Sequence, residues 1–174
     1  MTRVDISEAL KKRDNGCVLS QCEQDAVNRA DEIDSFIGSH VFFAEHNQLI
    51  TTALSEVLTR LPEDACEAIC VDAFIVFPEK NANHVVRLFR DAFPAAFSLV
   101  VLADYLNRKD MATVVGVLAH ELAHVYLAHN GGSPEIESAA DALAIQWGFQ
   151  AEITASRSPD TASQVEPSRR TLTS

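Results

Sequence analysis

The stretch from residue 111 to 129, MATVVGVLAHELAHVYLAH, limits the possible folds more than any other part of the chain. Apolar residues surround almost its whole helical circumference, and such a helix lies at the centre of a fold rather than on its surface. It nevertheless carries three ionisable groups, His120, Glu121 and His124. Buried charge is costly unless it is paired or coordinated. The stretch therefore predicts a central helix that carries a polar site.

The residues at the two ends of this stretch predict its limits. Asp110 is a suitable N-cap, and Gly131–Gly132 end the helix. Ser133 as N-cap and Pro134 as first helical residue then predict a second helix that runs to about Gly148. The connection between the two helices is short, which favours an antiparallel pair.

The remaining segments predict an α+β fold with a small sheet. An amphipathic helix is indicated over residues 42–61, before Pro62. Residues 68–78 (AICVDAFIVFP) and 97–103 (FSLVVLA) have the composition of buried strands. Residues 84–93 (HVVRLFRDAF) are expected to form a short helix.

Composition and charge narrow the class of protein. The formal net charge is −11, which argues against nucleic acid as the main partner because phosphate binding needs clustered Lys and Arg. No apolar leader and no apolar run of membrane-spanning length is evident, so we expect a cytoplasmic protein without membrane insertion. The four cysteines, at positions 17, 22, 66 and 70, lack zinc-knuckle spacing and are expected to be free thiols.

The histidine spacing indicates a metal site. Residues four apart on a helix project to nearly the same side, so His120 and His124 can reach one ion. Glu121 lies next to His120 and can act as general base, which makes this H-E-x-x-H the zinc hydrolase signature. His129 is excluded as a third ligand because it lies about 140° round the helix from His124. It is instead expected to stabilise the helix C-terminus.

The next helix can supply the missing ligand. Glu137 and Asp141 are four apart and share a face. Glu137 can complete the zinc site, while Asp141 can accept the N–H of a ligating histidine. Small residues at positions 139, 140, 142 and 144 would allow close packing of the two helices. Glu135 is the rival third ligand, but it lies in the first turn and has no acid four residues on.

The pattern HELAH…EIESAAD resembles the gluzincin metallopeptidases, and above all the HtpX/CAAX-protease-like group. It is more loosely similar to ImmA/IrrE-type peptidases, and the likeness covers roughly residues 97–149. The resemblance implies a zincin-like fold in which the strand 97–103 forms the upper edge of the cleft and pairs with an extended peptide. It implies Zn²⁺ bound by His120, His124 and Glu137.

The resemblance also implies roles for two further acids, whereas the division of the chain is predicted from composition and patterning. Glu121 is the expected catalytic base and Asp141 the partner of a ligating histidine. We expect an acidic N-terminal helical extension (1–38), a minimal zincin-like metallopeptidase domain (39–151) and a disordered C-terminal tail (152–174).

One part of such a site has no obvious candidate. Many zinc peptidases use a downstream His, Tyr or Arg to stabilise the tetrahedral oxyanion. After Asp141 the chain has no His or Tyr, and its first Arg, Arg157, lies in the expected tail. Tyr126, His84 or a partner protein remain as candidates.

The sequence therefore predicts a zinc-dependent metallopeptidase that acts on a peptide or protein substrate. One dedicated target protein and a regulatory protein partner are open alternatives, with access gated by residues 1–38. Cys17 as a zinc-capping ligand is a further alternative, set against a plain exposed thiol. The competing class is a catalytically inactive zincin-like module that binds proteins.

Overall fold

The computed structural model describes residues 5–42, 47–79, 84–88, 97–132 and 136–158. Seven α-helices, one short 3-10 helix (Asp104–Arg108) and four strands occur in these residues, so the fold belongs to the α+β class. The helices are α1 (Ile6–Asp14), α2 (Gln21–His40), α3 (Gln48–Arg60), α4 (Glu63–Asp72), α5 (Met111–His129), α6 (Glu137–Gln146) and α7 (Gln150–Arg157). The strands are β1 (Val41–Phe42), β2 (Ala73–Glu79), β3 (His84–Leu88) and β4 (Phe97–Ala103).

The sheet is mixed, with strand order β1-β2-β4-β3. Strands β1, β2 and β4 are parallel, while β3 pairs antiparallel with β4 in a register that sets His84 opposite Val101. The predicted strand 97–103 is confirmed. It lies between β2 and β3, however, so the expectation that it forms the upper edge of a cleft is wrong. Both of its edges are hydrogen-bonded to other strands.

Helix α5 is the centre of the fold, as its apolar circumference predicted. It contacts α3, α4, α6 and α7 as well as β3 and β4. Asp110 caps it by accepting a hydrogen bond from the Thr113 backbone N–H at 2.8 Å. At its other end the Gly132 N–H donates to the Leu127 carbonyl at 2.8 Å, after Gly131 with φ of 72°.

By length and composition alone, α5 would also be able to cross a membrane, although the sequence suggested no such segment. Of the window that passes this test, 67% is buried inside the fold, as in the core helix of a soluble protein. The structure is thus compatible with a soluble protein.

The first two helices belong to the same core as the rest. Ile33 and Phe36 of α2 are buried among residues of α3 and the sheet, and α2 continues through Gly38 to His40 instead of ending there. Arg29 donates to the carbonyls of Leu58, in the last turn of α3, and of Leu61, the residue that follows this helix. Deletion of the described residues 5–38 would therefore uncover core side chains, and a role of the extension in gating stays a prediction.

Four predicted elements need correction. The helix predicted over residues 42–61 begins at Gln48, and Phe42 belongs to β1. Residues 68–72 are the last turns of α4, and the strand begins only at Ala73. Residues 84–88 form strand β3 rather than a helix, and residues 89–93 lie outside the described residues. The expected disordered tail is wrong for residues 152–157, which belong to α7, while 159–174 lie outside the described residues.

A corner between α6 and α7 fixes the last helix against α5. Phe149 is fully buried at this corner, and the Arg60 guanidinium lies 4.1 Å from the centre of its ring. Arg60 also donates to the Gly148 carbonyl at 3.0 Å and to Glu152 at 2.6 Å. The backbones of α5 and α7 meet at Gly116, where an added Cβ would overlap the Glu152 carbonyl oxygen.

Candidate metal centre

The site is formed where α5 and α6 pack together. Of the small residues predicted to line this contact, Ala140 and Ala144 of α6 are fully buried, whereas Ala142 is exposed. His120 lies beside both Asp141 and Glu137, whereas His124, one turn later, lies beside Glu137. The partner number falls as the residue number rises, so the two helices run in opposite directions. The start that was predicted for α6, at Ser133 and Pro134, lies outside the described residues, and the described helix begins at Glu137.

Three side chains converge on one point. The Nε2 atoms of His120 and His124 are 3.0 Å apart, and the Glu137 carboxylate lies 3.1 Å from the first and 3.6 Å from the second. These three residues form a group that could hold a metal ion, with candidate ligand atoms all within 4.8 Å of one another. Both histidines are buried, while the Glu137 side chain is 70% exposed, so the group opens to solvent on the Glu137 side.

The hydrogen bond to Asp141 determines what the His120 ring presents to this group. Asp141 Oδ1 lies 2.7 Å from His120 Nδ1, and because a carboxylate only accepts, Nδ1 carries the proton. In a neutral ring, Nε2 then offers a lone pair toward the Glu137 carboxylate, which offers lone pairs of its own. Two acceptors 3.1 Å apart repel each other unless a cation lies between them. The geometry therefore requires a proton or a metal ion.

The donor set and its spacing fit a divalent metal. Two imidazole nitrogens and one carboxylate are a known set of ligands for catalytic zinc. Zinc–ligand bonds of about 2.0–2.1 Å in a tetrahedral arrangement would hold the ligand atoms about 3.4 Å apart. The observed separations of 3.0, 3.1 and 3.6 Å lie close to this value. The residues present can thus hold such an ion without rearrangement of either helix.

The group formed by His120, His124 and Glu137 is called the metal group below. Glu121 follows His120 on α5 and is buried, with only 7% of its surface exposed. Burial raises the pKa of its carboxyl to about 7; the negative charge of Glu137 adds to the effect, and Arg157 opposes it. A carboxyl group with this pKa can both accept and release a proton near neutral pH. The sequence predicted Glu121 as the general base; the structure shows it as a buried carboxyl with a raised pKa, and its catalytic role stays a prediction.

Arg157 is the residue at this site that the sequence analysis assigned to the tail. Its Nη2 donates to Asp141 Oδ1 at 2.8 Å and lies 3.4 Å from His120 Nδ1. Partial burial alone would raise the pKa of Asp141, but the hydrogen bonds from Arg157 and His120 outweigh it and hold that pKa below its usual value. The signal for a helix here was the four-residue spacing of Phe149, Ile153 and Arg157.

The other residues considered for the site lie elsewhere or outside the described part. His129 binds Asp72 at 2.8 Å, and the Tyr126 hydroxyl donates to Asp64 at 2.7 Å, so both side chains are engaged with α4. Cys17 is an exposed free thiol, and the three other cysteines are free as predicted. Glu135 and the side chain of His84 lie outside what the structure describes.

Comparison with known proteins adds no family to this picture. No protein-family model, curated protein or solved structure matches the chain. The gluzincin resemblance therefore remains a proposal, and the case for a function rests on the chemistry of the site.

Proposed function

We propose that this protein is a zinc-dependent metallopeptidase with a minimal zincin-like fold. One observation carries the proposal, namely the convergence of two buried imidazoles and an accessible carboxylate within 4.8 Å of one another. Burying two imidazoles in an otherwise apolar helix is costly unless they are hydrogen-bonded or coordinated, and a metal ion would satisfy the nitrogens that face each other. His120, His124 and Glu137 are the proposed zinc ligands, which leaves the open position that a catalytic zinc needs.

The chain's own residues would divide the chemistry as follows. When bound, zinc supplies a Lewis acid that polarises a peptide carbonyl and makes water a better nucleophile. A carboxylate oxygen of Glu121 takes the proton from the attacking water and passes it to the leaving amide nitrogen. Asp141 holds the proton of His120 Nδ1, so that Nε2 keeps its lone pair for the ion.

The sheet bears on how a peptide substrate would bind. Strand β4 has neighbours on both sides, so an extended peptide cannot pair with it. Strand β3 is antiparallel to β4, contacts α5, and ends the described sheet. We therefore place the substrate strand along the outer edge of β3, where its backbone can continue the sheet.

The first test is zinc stoichiometry. Wild-type protein should bind one zinc ion, and Glu137→Ala should bind none after the same dialysis, because two imidazoles alone hold the ion weakly. Glu63→Ala is the matched control, since Glu63 is likewise the exposed first residue of a helix, α4. Absence of bound zinc in wild-type protein would refute the proposal.

The second test separates binding from hydrolysis. Glu121→Gln should keep zinc and the fold but lose cleavage of an unstructured protein substrate such as casein, because the amide cannot accept the water proton. Fluorogenic peptides report the same loss quantitatively. Full activity in Glu121→Gln would remove this residue from the mechanism.

A second function is favoured by the position of Tyr126. Its hydroxyl is bound to Asp64, so it does not face the metal group as an oxyanion donor would. A zincin-like module that binds zinc and a protein without cleaving it would have this property. Stoichiometric zinc with no cleavage by wild-type protein of any tested peptide would favour that function.

A further inference from the structure

Arg157 completes a chain of contacts that leads into the metal group. Its Nη2 lies 2.8 Å from Asp141 Oδ1, and the same oxygen lies 2.7 Å from His120 Nδ1. We propose that Arg157 is a positioning residue for the metal centre, which fixes the His120 ring by holding Asp141 against it. This inference rests on the proposed function.

The fold delivers Arg157 to this place through a rigid element. Helix α7 is seated by Ile153, which is buried in the core, and by the ion pair of Glu152 with Arg60 at 2.6 Å. Because residue 116 of α5 is a glycine, the backbone of α7 can approach α5 closely. The site is therefore built from three helices rather than the two that carry the metal ligands.

A simpler electrostatic role predicts the opposite sign. Arg157 Nη2 lies 4.0 Å from Glu137 Oε2, and a fixed positive charge near a metal site repels the incoming ion. If that were its main effect, removing Arg157 would strengthen zinc binding. The shorter contact with Asp141 favours positioning, because a carboxylate held by two donors cannot rotate away from His120. Loss of Arg157 should then weaken zinc binding.

The experiment measures the dissociation constant for zinc ion alone by competition with a chromophoric chelator. Arg157→Ala should bind zinc about tenfold more weakly, the lower end of the effect known for residues that support a metal ligand. Arg157→Lys should recover most of the loss, since it can still donate to Asp141. Arg13→Ala is the charge-matched control, because Arg13 pairs with Asp14 and Asp31 on the first two helices, and its affinity should equal wild type.

Metal-free protein provides the control for folding. The Arg157 side chain is 53% exposed and its residue ends α7, so the alanine variant should unfold close to the wild-type temperature. A large drop in that temperature, with zinc affinity lowered in the lysine variant as well, would mean that Arg157 serves the fold alone and would overturn the inference.

A double-mutant cycle locates the effect. If Arg157 acts through Asp141, then adding Arg157→Ala to Asp141→Ala should weaken zinc binding no further. Full additivity, or tighter binding in Arg157→Ala, would overturn the inference and leave the zinc site intact. A wild-type protein that binds no zinc would overturn both this inference and the proposed function.

Discussion

Among the described residues, the histidines of α5 form two pairs with aspartates, which have nearly the same length but different surroundings. His120 binds Asp141 at 2.7 Å, and His129 binds Asp72 at 2.8 Å. The side chain of His120 is 10% exposed and that of His129 is 39% exposed. The second nitrogen of His120 faces another imidazole and a second carboxylate, and His129 takes no part in that group.

The difference shows what a carboxylate does for a histidine in each place. Asp72 and His129 end their helices, where the partial negative charge of the helix C-terminus favours the histidine and disfavours the aspartate. Their contact joins α4 to α5 and has a structural role. The Asp141 contact instead determines which nitrogen of His120 is available to a ligand. A histidine–carboxylate pair alone therefore does not identify a site, whereas convergence of further ligand atoms does.

The largest expected effect distinguishes His124, a proposed zinc ligand, from His129 at the end of the same helix. His124→Ala should weaken zinc binding by more than the roughly 10–100-fold that loss of a supporting residue costs, because a ligand itself is removed. His129→Ala should leave zinc affinity unchanged. Chelator competition measures both, and equal losses in the two variants would contradict the assignment.

The carboxylates provide the second comparison. Asp141→Ala should weaken zinc binding roughly 10–100-fold, since His120 loses the acceptor that fixes its tautomer. Asp72→Ala should keep wild-type zinc affinity, although metal-free protein should unfold at a lower temperature. Weaker zinc binding in Asp72→Ala than in Asp141→Ala would reverse the roles given to the two pairs.

The third prediction tests whether α7 packs closely against α5. Gly116→Ala should lower the free energy of unfolding by about 1–3 kcal/mol, because its methyl group overlaps the Glu152 backbone. Gly38→Ala is the matched control in α2, where the added methyl has no neighbour within 4 Å, and it should stabilise by about 0.4–1 kcal/mol. Urea denaturation measures both changes, and equal stability of the two variants would argue against close packing of α5 and α7.

The smallest effect concerns the structural pair. His129→Ala should lower the free energy of unfolding by about 1 kcal/mol, the net value of one hydrogen bond, because His129 is 39% exposed although the side chain of Asp72 is only 9% exposed. Urea denaturation of the metal-free protein measures this change. A much larger loss would show that the pair at this end of α5 is a principal element of the core.

A residue of the site is easier to predict from the sequence when it lies close along the chain to the other residues of the site. His120, Glu121 and His124 lie on one helix, so helical geometry alone brings the two histidines together. Glu137 and Asp141 required one assumption, an antiparallel neighbour after a short connection, and the structure places both beside His120. Arg157 required a third helix in a stretch rich in Ser, Thr and Arg, where composition favoured disorder.

The incorrect predictions of helices and strands have related physical causes. Residues 68–72 belong to α4, yet Ile69 and Ala73 are both buried, so the apolar run did not reveal where helix gives way to strand. Residues 84–88 have apolar residues at positions compatible with either structure, and pairing with β4 selects the strand. Such pairing depends on residues of the next strand, from Phe97 to Val101, which the pattern within residues 84–88 does not record.

Arg60 joins residues that are 92 positions apart when it binds Glu152. During synthesis on the ribosome, α3 emerges long before α7. Arg60 can therefore bind Glu152 only after α7 has emerged. The proposed metal ligands on α5 and α6 emerge from the ribosome earlier than Arg157, which we expect to position them. Nascent chains should consequently acquire their full metal affinity only after α7 has left the exit tunnel.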